Sequence, residues 1–162
     1  MQKVTPGPIQ ESVWNYPRPP KVEDCSELVR VIYNGIEIAR SERARRVLET
    51  SHPPVYYLPK DDIQMEYLEP IVDTSYCEWK GRAHYFDVIV NDKRARKAAW
   101  SYPEANERLK SIEDYMAFYA HKMEACYVGD EKVKPQPGNF YGGWITSRVV
   151  GPFKGIPGSV GW

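Results

Sequence analysis

At 162 residues the chain is sized for one domain, long enough to bury a core without disulfide or metal staples. Its 22 Lys plus Arg balance its 22 Asp plus Glu, which removes any overall pull toward nucleic acid or an anionic membrane. No apolar run approaches the roughly 20 residues of a spanning helix, and the start, Met1-Gln2-Lys3-Val4-Thr5-Pro6, lacks the apolar stretch of a secretory signal. The expected compartment is therefore the cytoplasm.

Cys25, Cys77 and Cys126 are odd in number, widely spaced and never paired as Cys-x-x-Cys, so a disulfide framework is not expected. His52, His84 and His121 add no close pair of ligands. Closed zinc sites draw on such pairs, so neither a metal nor another cofactor is expected.

Residues 1–24 form a proline-rich arm around Trp14-Asn15-Tyr16-Pro17-Arg18-Pro19-Pro20, a composition that favours extended backbone over helix. It reads as a strap whose Trp14 and Tyr16 cover part of the core, or as one wall of a cleft. Residues 25–128 form the body. Leu28–Tyr33 and Ile36–Arg40 flank Asn34-Gly35, a pair suited to the positive φ angles of a type I′ turn, and predict a β-hairpin. Ser41–Thr50 suits either a short helix capped by Ser41 or another strand, ended by Pro53-Pro54.

Val55–Leu58, Ala83–Val90 and Trp100–Tyr102 read as strands stopped by Pro59, Asn91-Asp92 and Pro103. In Glu104–His121 the spacing of Leu109, Ile112, Met116 and Tyr119 predicts a helix, although Tyr115–Tyr119 also suits a strand. Residues 129–162 are rich in proline and glycine. Phe140, Tyr141, Trp144, Ile145, Val149, Val150, Phe153 and Trp162 make that segment too apolar for a solvated tail, so it is expected to pack on the body. The clusters Arg40, Arg43, Arg45, Arg46 and Lys93, Arg94, Arg96, Lys97 read as solvated faces rather than as a nucleic-acid surface. The fold class is mainly β and antiparallel, with one or two short helices and a packed irregular tail.

Trp14–Pro20, Arg46–Tyr57, Thr74–Phe86 and Ala98–Pro103 resemble, in order and spacing, the recurring motifs of the DUF427 family. The Pro/Gly tail resembles that of members from oxygenic photosynthetic organisms. The resemblance implies a compact β-tent, or Mss4-like, fold with no agreed activity and sometimes a nucleotidyltransferase-like label. The residues do not support that label. Gly158-Ser159 lies four residues from the end with no carboxylate pair after it, and Asp61-Asp62 and Asp92 lack the partners that would hold Mg²⁺ on a triphosphate.

What remains is a set of rings, cations and one thiol. Tyr56, Tyr57, Trp79, Tyr85, Trp100 and Tyr102 could stack on a planar or sugar-like body, while Lys80 and Arg82, either side of Gly81, could hold an anion. His52, Cys77 and Glu49 are the catalytic candidates should the site be enzymatic. Each also has a plainer reading: the rings as core, Cys77 as an inert thiol, His52 as a turn residue, Glu49 as a partner of Arg45 or Arg46. The expected partner is a small anionic or sugar-like molecule. The alternative is a non-catalytic interaction module in which arm and tail dock on a partner or on a second copy in a homo-oligomer.

Overall fold

The computed structural model describes residues 1–162. In chain order the strands are β1 (Glu11–Ser12), β2 (Lys21–Cys25), β3 (Val29–Tyr33), β4 (Ile36–Ser41), β5 (Ala44–Leu48) and β6 (Val55–Tyr57). There follow β7 (Leu68–Cys77), β8 (Gly81–Val90), β9 (Lys93–Ser101), β10 (Met116–Phe118) and β11 (Ala125–Val128). Four short strands close the chain: β12 (Glu131–Lys132), β13 (Lys134–Pro135), β14 (Trp144–Ile145) and β15 (Val149–Val150). Two four-stranded antiparallel sheets, ordered β10-β9-β8-β7 and β12-β11-β3-β4, and a three-stranded sheet β2-β5-β6 make the body. No helix is long and apolar enough to cross a membrane.

The β3–β4 hairpin turns through Asn34 (φ 49°) and Gly35 (φ 77°), both in the left-handed region that the type I′ turn demands. Val29, Val31 and Tyr33 face the core while Arg30 and Ile32 face outward, the period of two that fixes register. Ser41–Thr50 resolves to the strand alternative. Ser41 Oγ accepts from the Arg43 N–H and donates to Asp62, so it caps a turn between β4 and β5 and not a helix.

The helix predicted over Glu104–His121 does not form. Glu107–Ile112 is a 3₁₀ turn that buries Leu109 and Ile112, Asp114 takes a positive φ of 65°, and Met116–Phe118 pairs with β9. An aspartate tolerates that left-handed step, and the β-preferring run after it is buried at Met116, Ala117 and Phe118 alike, which a sheet interior accommodates. Apolar residues three and four apart thus came from a 3₁₀ turn followed by a strand. The expected short helices are 3₁₀ turns throughout, the longest of six residues.

Alternation in the strands divides the interior. Phe86, Ala99 and Phe118 are cross-strand partners on one face of the β10-β9-β8-β7 sheet, and Tyr85, Trp100 and Ala117 on the other. The first face joins the main core, with Val29, Val31, Ile38 and Val88; the second covers a smaller core with Tyr57, Leu109 and Ile112. Between Phe86 and Val88 the register slips at a bulge where Lys97 has φ 51°. Buried Asp87 satisfies it, accepting from the Lys97 N–H at 2.8 Å and from Arg94 at 2.6 Å.

Arm and tail are tied to the body and to each other. β1 runs parallel to β15, and Val13, Tyr16, Leu48 and Val149 form a third apolar cluster. Trp144 enters the main core, stacks on Tyr56 at 5.2 Å and donates its indole N–H to the Phe118 carbonyl. Of the basic clusters, Arg46 departs from the solvated reading: it is mostly buried and bridges Glu11 of the arm and Glu23 of β2.

Candidate functional site

A cleft of about 320 Å³ opens over the smaller core. Its floor is Tyr57 of β6 with Trp100 and Tyr102, one wall is the β7–β8 hairpin with Cys77, Trp79, Lys80 and Tyr85, and another is the loop after β5 with Glu49 and His52. Tyr119 and, from the tail, Gln136, Phe140, Tyr141, Gly142 and Lys154 complete it.

Two residues expected here lie elsewhere. Tyr56 and Tyr57 are consecutive in a strand, so their side chains leave opposite faces; Tyr57 lines the cleft, whereas Tyr56 lines a separate groove beside Arg46. The same alternation expels Arg82. Gly81 is buried at the start of β8 with φ 109°, Arg82 is exposed and reaches Thr74 Oγ1 at 3.4 Å, and Ala83 is buried again. Gly81 therefore sends Lys80 inward and leaves Arg82 outside. The second cation of the cleft is Lys154, whose ammonium donates to the Trp162 carbonyl and sits 5.7 Å from the centre of the Tyr141 ring. Nothing local in the sequence marks Lys154, Gln136 or Tyr119 as members.

The floor is a set of protonated phenols. Trp100 donates its indole N–H to Tyr57 Oη at 3.3 Å, and burial raises Tyr57, Tyr102 and Tyr119 well above the ordinary tyrosine range. Their hydroxyls donate at any physiological pH. Gly142 lies flat on the Trp100 indole, where a Cβ would come within 2.2 Å of the ring, so close approach of backbone to ring requires glycine there.

The polar end is a chain of side chains. Gln136 Oε1 accepts from the Gly143 N–H at 3.0 Å, and its Nε2 donates to the Lys154 carbonyl at 2.8 Å and to His52 Nδ1 at 3.0 Å. Because the amide is oriented by its other two partners, His52 Nδ1 is the acceptor and the ring proton resides on Nε2. Nε2 faces Glu49 at 3.9 Å. Burial pulls His52 down to about 4; Glu49 opposes this in part, and the positive charges of Lys154, Lys80 and Arg18 add to it, so the ring is neutral near pH 7. Glu49 also lies 3.9 Å from Lys80 Nζ and from Arg18 Nε. Lys80 Nζ in turn donates to Cys77 Sγ at 3.8 Å.

Residues 21–129 match the domain of unknown function DUF427. The chain belongs to this family. No curated protein matches it. The DUF427 region supplies Glu49, His52, Tyr57, Cys77, Lys80 and Trp100, whereas Gln136, Tyr141, Gly142 and Lys154 lie beyond its end. No group of three or more His, Cys, Asp or Glu side chains is placed to hold a metal ion. Asp62 is held by Ser41 and Arg43 away from the cleft, whose one carboxylate is Glu49.

Proposed function

We propose that this DUF427 protein binds a small anionic ligand with a planar or sugar-like body in the aromatic cleft. The observation that carries the reading is Lys80. Its side chain is only 12% exposed, yet its nearest polar neighbours are a sulfur at 3.8 Å and a carboxylate oxygen at 3.9 Å, so its three donors have no oxygen acceptor at hydrogen-bond distance. Lys80 lines the cleft, and a charge-assisted hydrogen bond from its ammonium to an anion there would be stronger than either of these contacts. Lys154 adds a second positive charge, and Tyr57, Trp79, Trp100 and Tyr102 offer ring faces and phenol donors to the rest of the ligand.

The interaction-module alternative draws less support, because Trp144 is buried, Tyr141, Phe153 and Trp162 are half-buried, and Phe140 alone among the tail's rings is largely exposed. The test is a thermal-shift screen of aromatic carboxylates, nucleoside monophosphates and sugar phosphates. A binder at 100 times its Kd adds about 2.7 kcal/mol of stability. That gain disappears in Lys80→Met while Arg82→Ala retains it. A screen in which Lys80→Met and wild type respond alike to every compound overturns the reading.

A further inference from the structure

We infer that Cys77 is a nucleophile and that the cleft acts on an activated acyl group, an ester or thioester of a planar acid. The inference rests on the ligand reading for the shape of the substrate, and on the cluster around the sulfur for the chemistry.

The three thiols differ in what surrounds them. Cys25 and Cys126 belong to the main core, where burial pushes both thiols up and keeps them protonated. Cys77, the last residue of β7, opens on the cleft, and the Lys80 ammonium donates to its sulfur. An ammonium beside a thiol is the arrangement that favours the sulfur as an attacking group. The oxygen of an attacked acyl group also needs donors. Tyr57 is fully buried and engaged by Trp100, so the donor that the floor can offer is the hydroxyl of Tyr102, a lining residue. Tyr102 and Cys77 line the same cleft. Nucleophile, ammonium and one phenol donor thus line one cleft.

In the first step the Cys77 sulfur forms a bond to the acyl carbon, and the bond from that carbon to the leaving alcohol or thiol breaks. Lys80 gives its proton to the leaving group and recovers one from the Cys77 thiol. Water then adds to the acyl-enzyme thioester, the C–S bond breaks, and the products are the free acid and the Cys77 thiol. His52 is not the base: Nδ1 is occupied by Gln136 and Nε2 carries a proton toward Glu49.

The test uses the native full-length chain and needs no knowledge of the substrate. Iodoacetamide and iodoacetate followed by peptide mapping should label Cys77 and spare Cys25 and Cys126. The ammonium should favour the anionic reagent, raising the iodoacetate-to-iodoacetamide rate ratio about tenfold above that of glutathione. Lys80→Met should return the ratio to the glutathione value; if that variant does not fold, the wild-type ratio decides. With p-nitrophenyl acetate, acetyl should appear on Cys77 with release of nitrophenol, and both should vanish in Cys77→Ser. An unlabelled Cys77, a glutathione-like ratio in wild type, or undiminished nitrophenol release from Cys77→Ser overturns the inference. An inert thiol beside a positive ligand screen removes this chemistry alone; a reactive thiol beside a negative screen removes the anion site alone.

Discussion

Two of the molecule's concave surfaces differ in kind: the cleft over the smaller core is a candidate site, and the larger groove at the arm is a joint. The groove of about 730 Å³ between arm, tail and body is lined by Glu11, Glu23, Asp24 and Glu27, with Asp130 and Glu131 near its end. Its arginines are already paired, Arg46 with Glu11 and Glu23, Arg148 with Glu27. Behind them Tyr56 stacks on Trp144. These contacts join segments distant in sequence and leave the arginines committed to the protein's own carboxylates. In the smaller cleft the relation is reversed: Lys80 has only a sulfur at 3.8 Å and a carboxylate oxygen at 3.9 Å, and aromatic rings make the floor. Volume alone would select the groove; a cation without a close carboxylate partner selects the cleft.

The sharpest way to break this contrast is at Trp144, behind the groove. Trp144→Ala removes a fully buried indole and orphans the Phe118 carbonyl, and should cost about 3–5 kcal/mol in denaturant unfolding. A cost near zero would mean that the tail is not part of the core. At the cleft, His52 makes stability depend on pH. Its folded value of about 4 lies below the ordinary 6.5, so the unfolded chain binds the extra proton between those values. Stability is full above pH 6.5 and falls as the pH drops toward 4, by on the order of 3 kcal/mol. Comparing wild type with His52→Gln at pH 7 and pH 4.5 isolates this contribution, which vanishes in the variant. The smallest effect belongs to Arg82. Facing solvent with one weak contact, Arg82→Ala should change stability by less than about 0.5 kcal/mol, against the loss of ligand response expected at Lys80.

Short-range features of the chain were legible in its sequence. Asn34-Gly35 declared its hairpin because a two-residue turn needs positive φ at both positions, and the β-branched and aromatic runs declared strands because such side chains suit a pleated surface. The exposed half of β9 was hidden because Lys93, Arg94 and Arg96 look alike on a solvated strand and on a loop. β7 was hidden in the same way, being largely exposed along its length.

The segments that meet at the cleft were partly visible as motifs. Glu49, His52, Tyr57, Cys77, Trp79, Lys80, Tyr85, Trp100 and Tyr102 come together, and Tyr56 and Arg82 do not. That sorting depends on which face of a strand is buried, and composition cannot say so where both neighbours are tyrosines or where a glycine separates two cations. The tail's contribution was beyond reach for another reason. Gln136 acts by its three partners, His52, Gly143 and Lys154, and Gly142 by the indole it touches. Local sequence determined the strands and the turn because those depend on neighbours along the chain; the tertiary structure decided the cleft because its polar groups, from Arg18 to Lys154, meet only when distant segments pack together.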